Sequence, residues 1–272
     1  VTESLMNLDG RVAIVSGAAS GIGRGVALEF ARRGASVVVA DLNGDAAETV
    51  AREIAAAGGR ALAHRVDVST DTAFDDLLSV TLEVFGRVDL VMNNVGVLTR
   101  GLPEHLPVEE WRRVFEINLF SVVRSHALFV PYFLKQGSGH IVNTASFAGL
   151  FTYAFDRQPY AASKAAIVQI TEGLRLYLEP QGIGVTLLCP GPVRTNISAG
   201  LRTFGPETVT RGAGDRYIPK DPAEVGVQVA DAVEANQFMV YTDDLVVDDL
   251  VARASDWNEF VDRKVTEIAR GS

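Results

Sequence analysis

Apolar residues in this chain come as short unbroken runs, separated by amphipathic stretches and by glycine. The clearest runs are Val12-Ala13-Ile14-Val15 and Val37-Val38-Val39-Ala40, and positions 61–66, 88–92, 140–144, 185–189 and 238–241 continue the pattern as expected strands. Runs without polar alternation suit strands buried on both faces. Between them lie stretches with helical spacing: 21–33, closed by Gly34; 45–57, stopped by Gly58-Gly59; 73–85; 108–136; 159–179, with Pro159 where a missing N–H costs little; and 222–234. The tail, 243–268, places Val247, Leu250, Val251, Ala254, Trp257, Val261, Val265 and Ile268 at helical spacing. Residues 196–215 are rich in Gly, Thr and Arg without a period, and read as a loop or lid.

Strands alternating with helices imply right-handed crossovers and an α/β fold: one doubly wound parallel sheet of about seven strands with helices on both faces. A length of 272 residues would by itself suggest nearly two domains at about 150 residues each. No linker, repeat or low-complexity boundary divides the chain. A single domain over 1–272 is expected, with a substrate lid at about 197–217 and a C-terminal helical extension at about 243–269.

Composition narrows the partners. Hydrophobic residues are 47% and charged residues 22%, which excludes disorder as the main state. The 25 Lys and Arg against 34 Asp and Glu leave a net charge of −9, unfavourable for binding nucleic acid or anionic lipid. The single cysteine, Cys189, cannot make an intrachain disulfide. No uncharged apolar run reaches about 18 residues, so no membrane span is expected. The first nine residues do not resemble a signal peptide, and a reducing, cytoplasmic setting is expected. His64, His105, His126 and His140 are far apart, and no metal site is expected. A small molecule remains as the expected partner.

The first strand runs into Ser16-Gly17-Ala18-Ala19-Ser20-Gly21-Ile22-Gly23. Glycine lets such a turn approach a ligand closely, and the helix that follows offers N–H groups and a positive dipole end to a pyrophosphate. The spacing is G-x-x-x-G-x-G rather than the general G-x-G-x-x-G. Asp41 ends the second strand, where a carboxylate can accept hydrogen bonds from the adenosine ribose. A 2′-phosphate would meet that carboxylate. At about 4 Å and an effective dielectric near 20, each unit of like charge costs about 4 kcal/mol. Even heavily discounted, this favours NAD over NADP by roughly two decades. No basic residue in 18–20 or 42–43 offers a phosphate a home.

Gly17, Gly21 and Gly23 are followed in order by Asp67-Val68, Asn93-Asn94-Val95-Gly96, Asn118, Ser146, Tyr160-x-x-x-Lys164 and Pro190-Gly191-x-Val193-x-Thr195. Each motif is modest; the ordered set, spanning the chain up to about residue 195, resembles the short-chain dehydrogenase/reductase family. The resemblance implies a Rossmann-type fold and an NAD(H)-dependent oxidoreductase, usually a homodimer or homotetramer. It implies that Ser20, Gly21, Ile22 and Gly23 face the pyrophosphate, Asp41 and Leu42 the ribose, and Asp67 and Val68 the adenine. Asn93, Asn94 and Gly96 would shape the cofactor floor, with Pro190, Gly191, Val193 and Thr195 at the nicotinamide end. Asn118, Ser146, Tyr160 and Lys164 match the family's catalytic tetrad, and Tyr160 and Lys164 also touch the cofactor. Ser16 stands where the family usually has Thr, and Val95 where it usually has Ala. Ser146 to Tyr160 is one residue longer than the commonest spacing, which leaves Thr144 as an alternative hydroxyl.

The chemistry also follows from the residues. Oxidising an alcohol requires a base for the hydroxyl proton as a hydride leaves carbon. A phenol with a pKa of about 10 needs about 4 kcal/mol from its surroundings to work near neutrality. Lys164 lies four residues after Tyr160 on one helix face, and a cation about 4 Å away at an effective dielectric near 20 supplies about that much. Ser146 would steady the developing alkoxide. Asn118 reads either as a water relay to Lys164 or as an ordinary buried amide. Cys189 reads as a buried apolar thiol. Phe147, Phe151 and Tyr153, in an aromatic segment that also holds Leu150 and Phe155, read equally as core or as an apolar substrate pocket. The leading expectation is hydride transfer between NAD(H) and a secondary alcohol or ketone, hydrophobic or ring-containing. Two alternatives are a dehalogenase-like enzyme without redox chemistry and a silent NAD(P)-binding regulator. The intact glycines and the Tyr160–Lys164 pair argue against both.

Overall fold

A computed structural model describes residues 6–206 and 212–269; the part of the expected lid at 207–211 lies outside the described residues. The apolar runs become strands because both their faces can be covered. Strands β1 (Val12–Ser16), β2 (Ser36–Asp41), β4 (Leu90–Asn93), β6 (Gly139–Thr144) and β7 (Ile183–Cys189) are buried almost throughout. β3 (Arg60–Arg65), with an arginine at each end, forms one sheet edge, and β9 (Met239–Tyr241) the other. The order is β3-β2-β1-β4-β6-β7-β9, and every pairing is parallel. Seven strands were expected, and this sheet has seven.

Side chains alternate between the two faces, as the pleat requires. Ala13, Val15, Val37 and Val39 join one core layer with helices α1 (Gly21–Arg32), α2 (Gly44–Ala56) and α8 (Pro222–Glu234). Ile14, Val38, Val91 and Ile141 join the other with α3 (Ala73–Phe85) and α5 (Ser121–Gln136), where Phe129 and Phe133 are fully buried. After β1 the chain builds β2 and β3 on one side, then returns to place β4 on the other. This reversal opens a crevice at the carboxyl ends of β1 and β4, the place such folds use for ligands.

Three departures from the sequence reading have local causes. The helix expected over 108–136 is α4 (Val108–Phe115) and α5 joined by one π turn, Glu116–Phe120, which holds Asn118. Taken together, Val108–Gln136 is long and apolar enough to cross a membrane by length and composition, whereas the sequence reading expected no such segment. Its apolar side chains include Val122, Phe129 and Phe133, all packed inside the molecule. Second, β8 (Arg202–Phe204), inside the expected lid, pairs parallel with β5 (Thr99–Gly101). Three-residue strands carry too little pattern to be read. Third, the tail folds as α9 (Val246–Ser255) and α10 (Trp257–Ala269). Asp256 leaves helical geometry between them, and its carboxylate accepts the Glu259 N–H at 2.9 Å, starting the next helix.

Candidate active site

The glycine turn is built by contact between backbones. Gly17 and Gly21 have positive φ values of 66° and 53°. A Cβ on Gly23 would lie 2.1 Å from the Gly17 carbonyl oxygen, and one on Gly21 would lie 3.0 Å from Thr195 Cγ2. Neither position tolerates a side chain without moving backbone or Thr195. Ser20 caps α1 without a side-chain hydrogen bond, and no acidic residue lies in the first turn, so the positive helix end faces the crevice unopposed. This cradle fits a dinucleotide pyrophosphate.

Asp41 ties the turn to β2. Its Oδ2 accepts the Ala19 N–H and its Oδ1 the Asn43 N–H, each at 3.0 Å. Asp67 is held by Ser69, whose hydroxyl and N–H donate to Oδ1 at 2.7 and 3.0 Å and keep its carboxyl below the ordinary range. A cleft of about 400 Å³ joins these groups. Of the expected residues, Gly17, Ser20, Gly21, Ile22, Asp41 and Leu42 line it at the turn. Asp67, Val68, Asn94, Gly96, Pro190 and Thr195 also line it, as do Tyr160 and Lys164.

Other expected positions lie behind this wall. Gly23 packs on Gly17. Val193 pairs with Lys220, and the Gly191 N–H donates to Thr242 Oγ1 at 2.9 Å. Asn93 points into the protein and donates to Asn143 Oδ1 at 2.9 Å, while Asn94 faces the cleft, as alternation along a strand dictates. Phe147 and Phe151 belong to the core rather than to the cleft wall. They are almost fully buried and pack against each other and against Tyr217 and Phe260 respectively. Tyr153 is only partly buried, and its hydroxyl interacts with Ser146 and Arg157.

Tyr160 and Lys164 project from α7 (Gln158–Leu178) and are both buried. Lys164 Nζ lies 5.8 Å from the Tyr160 ring centroid and donates to the Thr144 carbonyl at 2.8 Å. Burial pushes the ammonium down to about 8. Burial pushes the Tyr160 phenol up to about 12, against a lowering hydrogen bond with Ser146. Desolvation is the largest influence on the phenol in this environment and acts against the positive charges that would lower it. Ser146 caps α6 (Phe147–Leu150) and accepts the Ala148 N–H at 3.2 Å. Asn118 is fully buried beside them. Its Oδ1 accepts the Val97 N–H at 2.8 Å, and its Nδ2 donates to the Val97 carbonyl and to Ser163 Oγ, both at 3.1 Å. One amide hydrogen therefore holds the segment after β4, and the other ties the π turn to Ser163 on α7. Cys189 is buried, its thiol pushed up to about 12, as expected of an inert thiol.

The short chain dehydrogenase family model matches residues 11–204. The chain belongs to the short-chain dehydrogenase family. It is 36% identical over 241 residues to 1-deoxy-11-beta-hydroxypentalenate dehydrogenase of Streptomyces exfoliatus, covering 87% of this chain and 84% of that protein. It is 37% identical over 200 residues to cyclohexanol dehydrogenase of Acinetobacter sp. strain SE19, covering 72% and 79%. Among solved structures, a short-chain dehydrogenase/reductase from Burkholderia phymatum in complex with NAD superimposes with a TM-score of 0.82 at 30% identity, covering 93% and 96%. This short-chain dehydrogenase is thus an alcohol dehydrogenase or ketoreductase that uses a nicotinamide cofactor.

The sequence reading missed part of the cleft wall. Ser69, Leu98, Ile117 and Ile197 line it, each one or two residues from a motif position. The signal was adjacency: a residue beside a ligand-facing position on an irregular segment shares its exposure. The Thr144 carbonyl carried no signal, because only the packing of β6 against α7 brings it to Lys164.

Proposed function

We propose that this short-chain dehydrogenase moves a hydride between NAD(H) and a secondary alcohol or its ketone on a hydrophobic ring, with Tyr160 as general acid and base. The observation that carries this reading is the meeting of Tyr160, Ser146 and Lys164 beside the same cleft that the glycine turn and Asp41 line. The apolar side chains of Leu98, Ile117 and Ile197 along that cleft support a hydrophobic substrate, and a relative named for cyclohexanol supports a ring.

In this reading the α1 terminus holds the pyrophosphate, Asp41 the ribose, Asp67 and Val68 the adenine, and Pro190 and Thr195 the nicotinamide end. The nicotinamide, when bound, accepts the hydride and brings a positive charge. Tyr160 takes the hydroxyl proton in oxidation and returns it in reduction, while the Ser146 hydroxyl donates to the developing alkoxide. Bringing a phenol from about 12 to near neutrality takes roughly 7 kcal/mol. Lys164, at an effective dielectric near 20, supplies about 4 kcal/mol at best, so more than one positive charge is required. Asn118 holds the loop at Val97 against this cluster. We assign residues 197–217 to the substrate lid and 243–269 to an extension that braces it, in a homodimer or homotetramer.

The test is nicotinamide absorbance during turnover of a panel of open-chain and cyclic secondary alcohols and ketones. Turnover is expected, with cyclic substrates preferred. Kcat/KM with NAD⁺ should exceed that with NADP⁺ by roughly two decades. Equal or better use of NADP⁺ would overturn the Asp41 argument and point instead to Arg65, the register partner of Asp41 on β3. No turnover with either cofactor, in protein that binds NADH, would overturn the reading as a whole.

A further inference from the structure

Arg157 is an arginine in an unexpected place. It stands three residues before Tyr160, as the non-helical N-terminal cap of α7. It is only 9% exposed. Its guanidinium carbon lies 5.5 Å from the centroid of the Tyr153 ring, which in turn packs on Phe151. Asp156, 3% exposed, sits 3.3 Å from Arg157 Nε and 3.3 Å from Arg100 Nε on β5. The Asp156 carbonyl accepts the Gly101 N–H at 2.8 Å, which fixes this cluster to the loop after β4. Two guanidinium groups thus share one carboxylate beside the reacting end of the cleft.

We propose that Arg157 is a second positive charge of the reaction site: a positioning residue that acts on Tyr160 through space and favours its ionised form. This rests on the reading of Tyr160 as acid and base. The groups facing the phenol are Ser146 and Tyr153 from the segment after β6, Lys164 and Arg157 from its own helix, and Cys189 from β7; Asp156 and Arg100 stand behind Arg157. Burial raises both the Tyr160 and the Tyr153 phenols, and the charge on Arg157 opposes burial at both. Both phenols interact with the Ser146 hydroxyl, so the guanidinium, Tyr153, Ser146 and Tyr160 form one connected group. The two cations are not equivalent. Lys164, pushed down to about 8, loses its charge in mild alkali and is held by the Thr144 carbonyl, whereas Arg157 is paired with the Asp156 carboxylate.

The experiment measures kcat for alcohol oxidation against pH for wild type, Arg157→Gln, Arg157→Lys and Asp156→Asn. NADH fluorescence confirms that each variant binds nucleotide. Activity rises as pH rises through the Tyr160 pKa, so losing a cation moves the rise to higher pH. Arg157→Gln should shift it by about one unit, a tenfold loss below the midpoint, and rejoin wild type on the alkaline plateau. Arg157→Lys should restore most of the shift. Asp156→Asn, which removes the offsetting carboxylate, should shift the rise the other way, and it decides the matter should Arg157→Gln not fold. As a readout apart from activity, tyrosinate absorbance of wild type minus Tyr160→Phe should appear at higher pH in the Arg157→Gln background. Equal losses at every pH, or unshifted profiles in Arg157→Gln and Asp156→Asn, overturn the proposal. Failure of the wild type to oxidise any secondary alcohol would sink the Tyr160 reading itself, a separate result.

Discussion

The two ends of the cleft are held in different ways. At the nucleotide end, the contacts run between backbones or from a side chain to nearby backbone: Gly23 against the Gly17 carbonyl, and Asp41 to the N–H groups of Ala19 and Asn43. At the far end, side chains distant in sequence do the holding. Asp249 on α9 accepts from the Tyr217 hydroxyl at 2.7 Å and pairs with Arg216 at 2.6 Å, while Tyr217 packs edge-on against Phe147 at 5.3 Å. Phe260 on α10 packs against Phe151 at 6.0 Å, and Arg253 donates to the Leu150 carbonyl. On β8, Arg202 reaches buried Glu110 at 3.2 Å, which also holds Arg113 at 2.5 Å. The first end is a rigid seat for a ligand of constant shape. The second is assembled from replaceable pairs, so its shape can change without disturbing the seat.

That contrast can be broken experimentally. The largest effect should come from Tyr160→Phe, which removes the proton carrier but leaves the seat. Turnover should fall by roughly 10³-fold while NADH affinity stays within a few-fold. Loss of NADH binding in this variant would mean that the two ends are not separable. Gly23→Ala should do the opposite. Its new methyl meets the Gly17 carbonyl at 2.1 Å and forces backbone to move. NADH affinity should weaken by about ten- to a hundredfold, as overpacking of this kind commonly costs 1–3 kcal/mol. Calorimetric titration showing unchanged affinity would remove the turn from its place as the seat. The smallest effect belongs to Asp249→Asn, which weakens two partly exposed ion pairs, to Arg216 and Arg263, without emptying the core. KM for a bulky ring alcohol should rise by about three- to tenfold, with NADH binding and the KM for a small alcohol unchanged. A uniform rise for both alcohols would argue that the extension supports general stability rather than the lid.

Legibility followed the same division. The strand runs, the glycine turn, Asp41 and the Tyr160–Lys164 spacing could be read because each is local. Val12 to Ser16 is apolar because both its faces are covered, and Gly23 is glycine because Gly17 lies six residues earlier. What stayed open was what tertiary contact decides. Phe147 and Phe151 read equally as core or pocket wall, and the structure packs them in the core, because α10 and Tyr217 cover them. Asn93 and Asn94 look equivalent in sequence, and only the direction of the pleat turns Asn94 to the cleft. The spacing of Tyr160 and Lys164 says nothing of how deeply the phenol is buried, which depends on the packing of distant segments and pushes it up to about 12.

Sequence alone therefore determined the parallel seven-stranded α/β sheet, the glycine turn and the spacing of the acid–base candidates. These depend on periodicity, on glycine and on spacing within one helix, all of which act over a few residues. Tertiary structure decided which of those residues face the cleft, how strongly burial opposes ionisation of Tyr160, and how the lid and α9–α10 meet. Those properties depend on exclusion of water and on contacts between segments tens to hundreds of residues apart, for which a linear pattern carries no record.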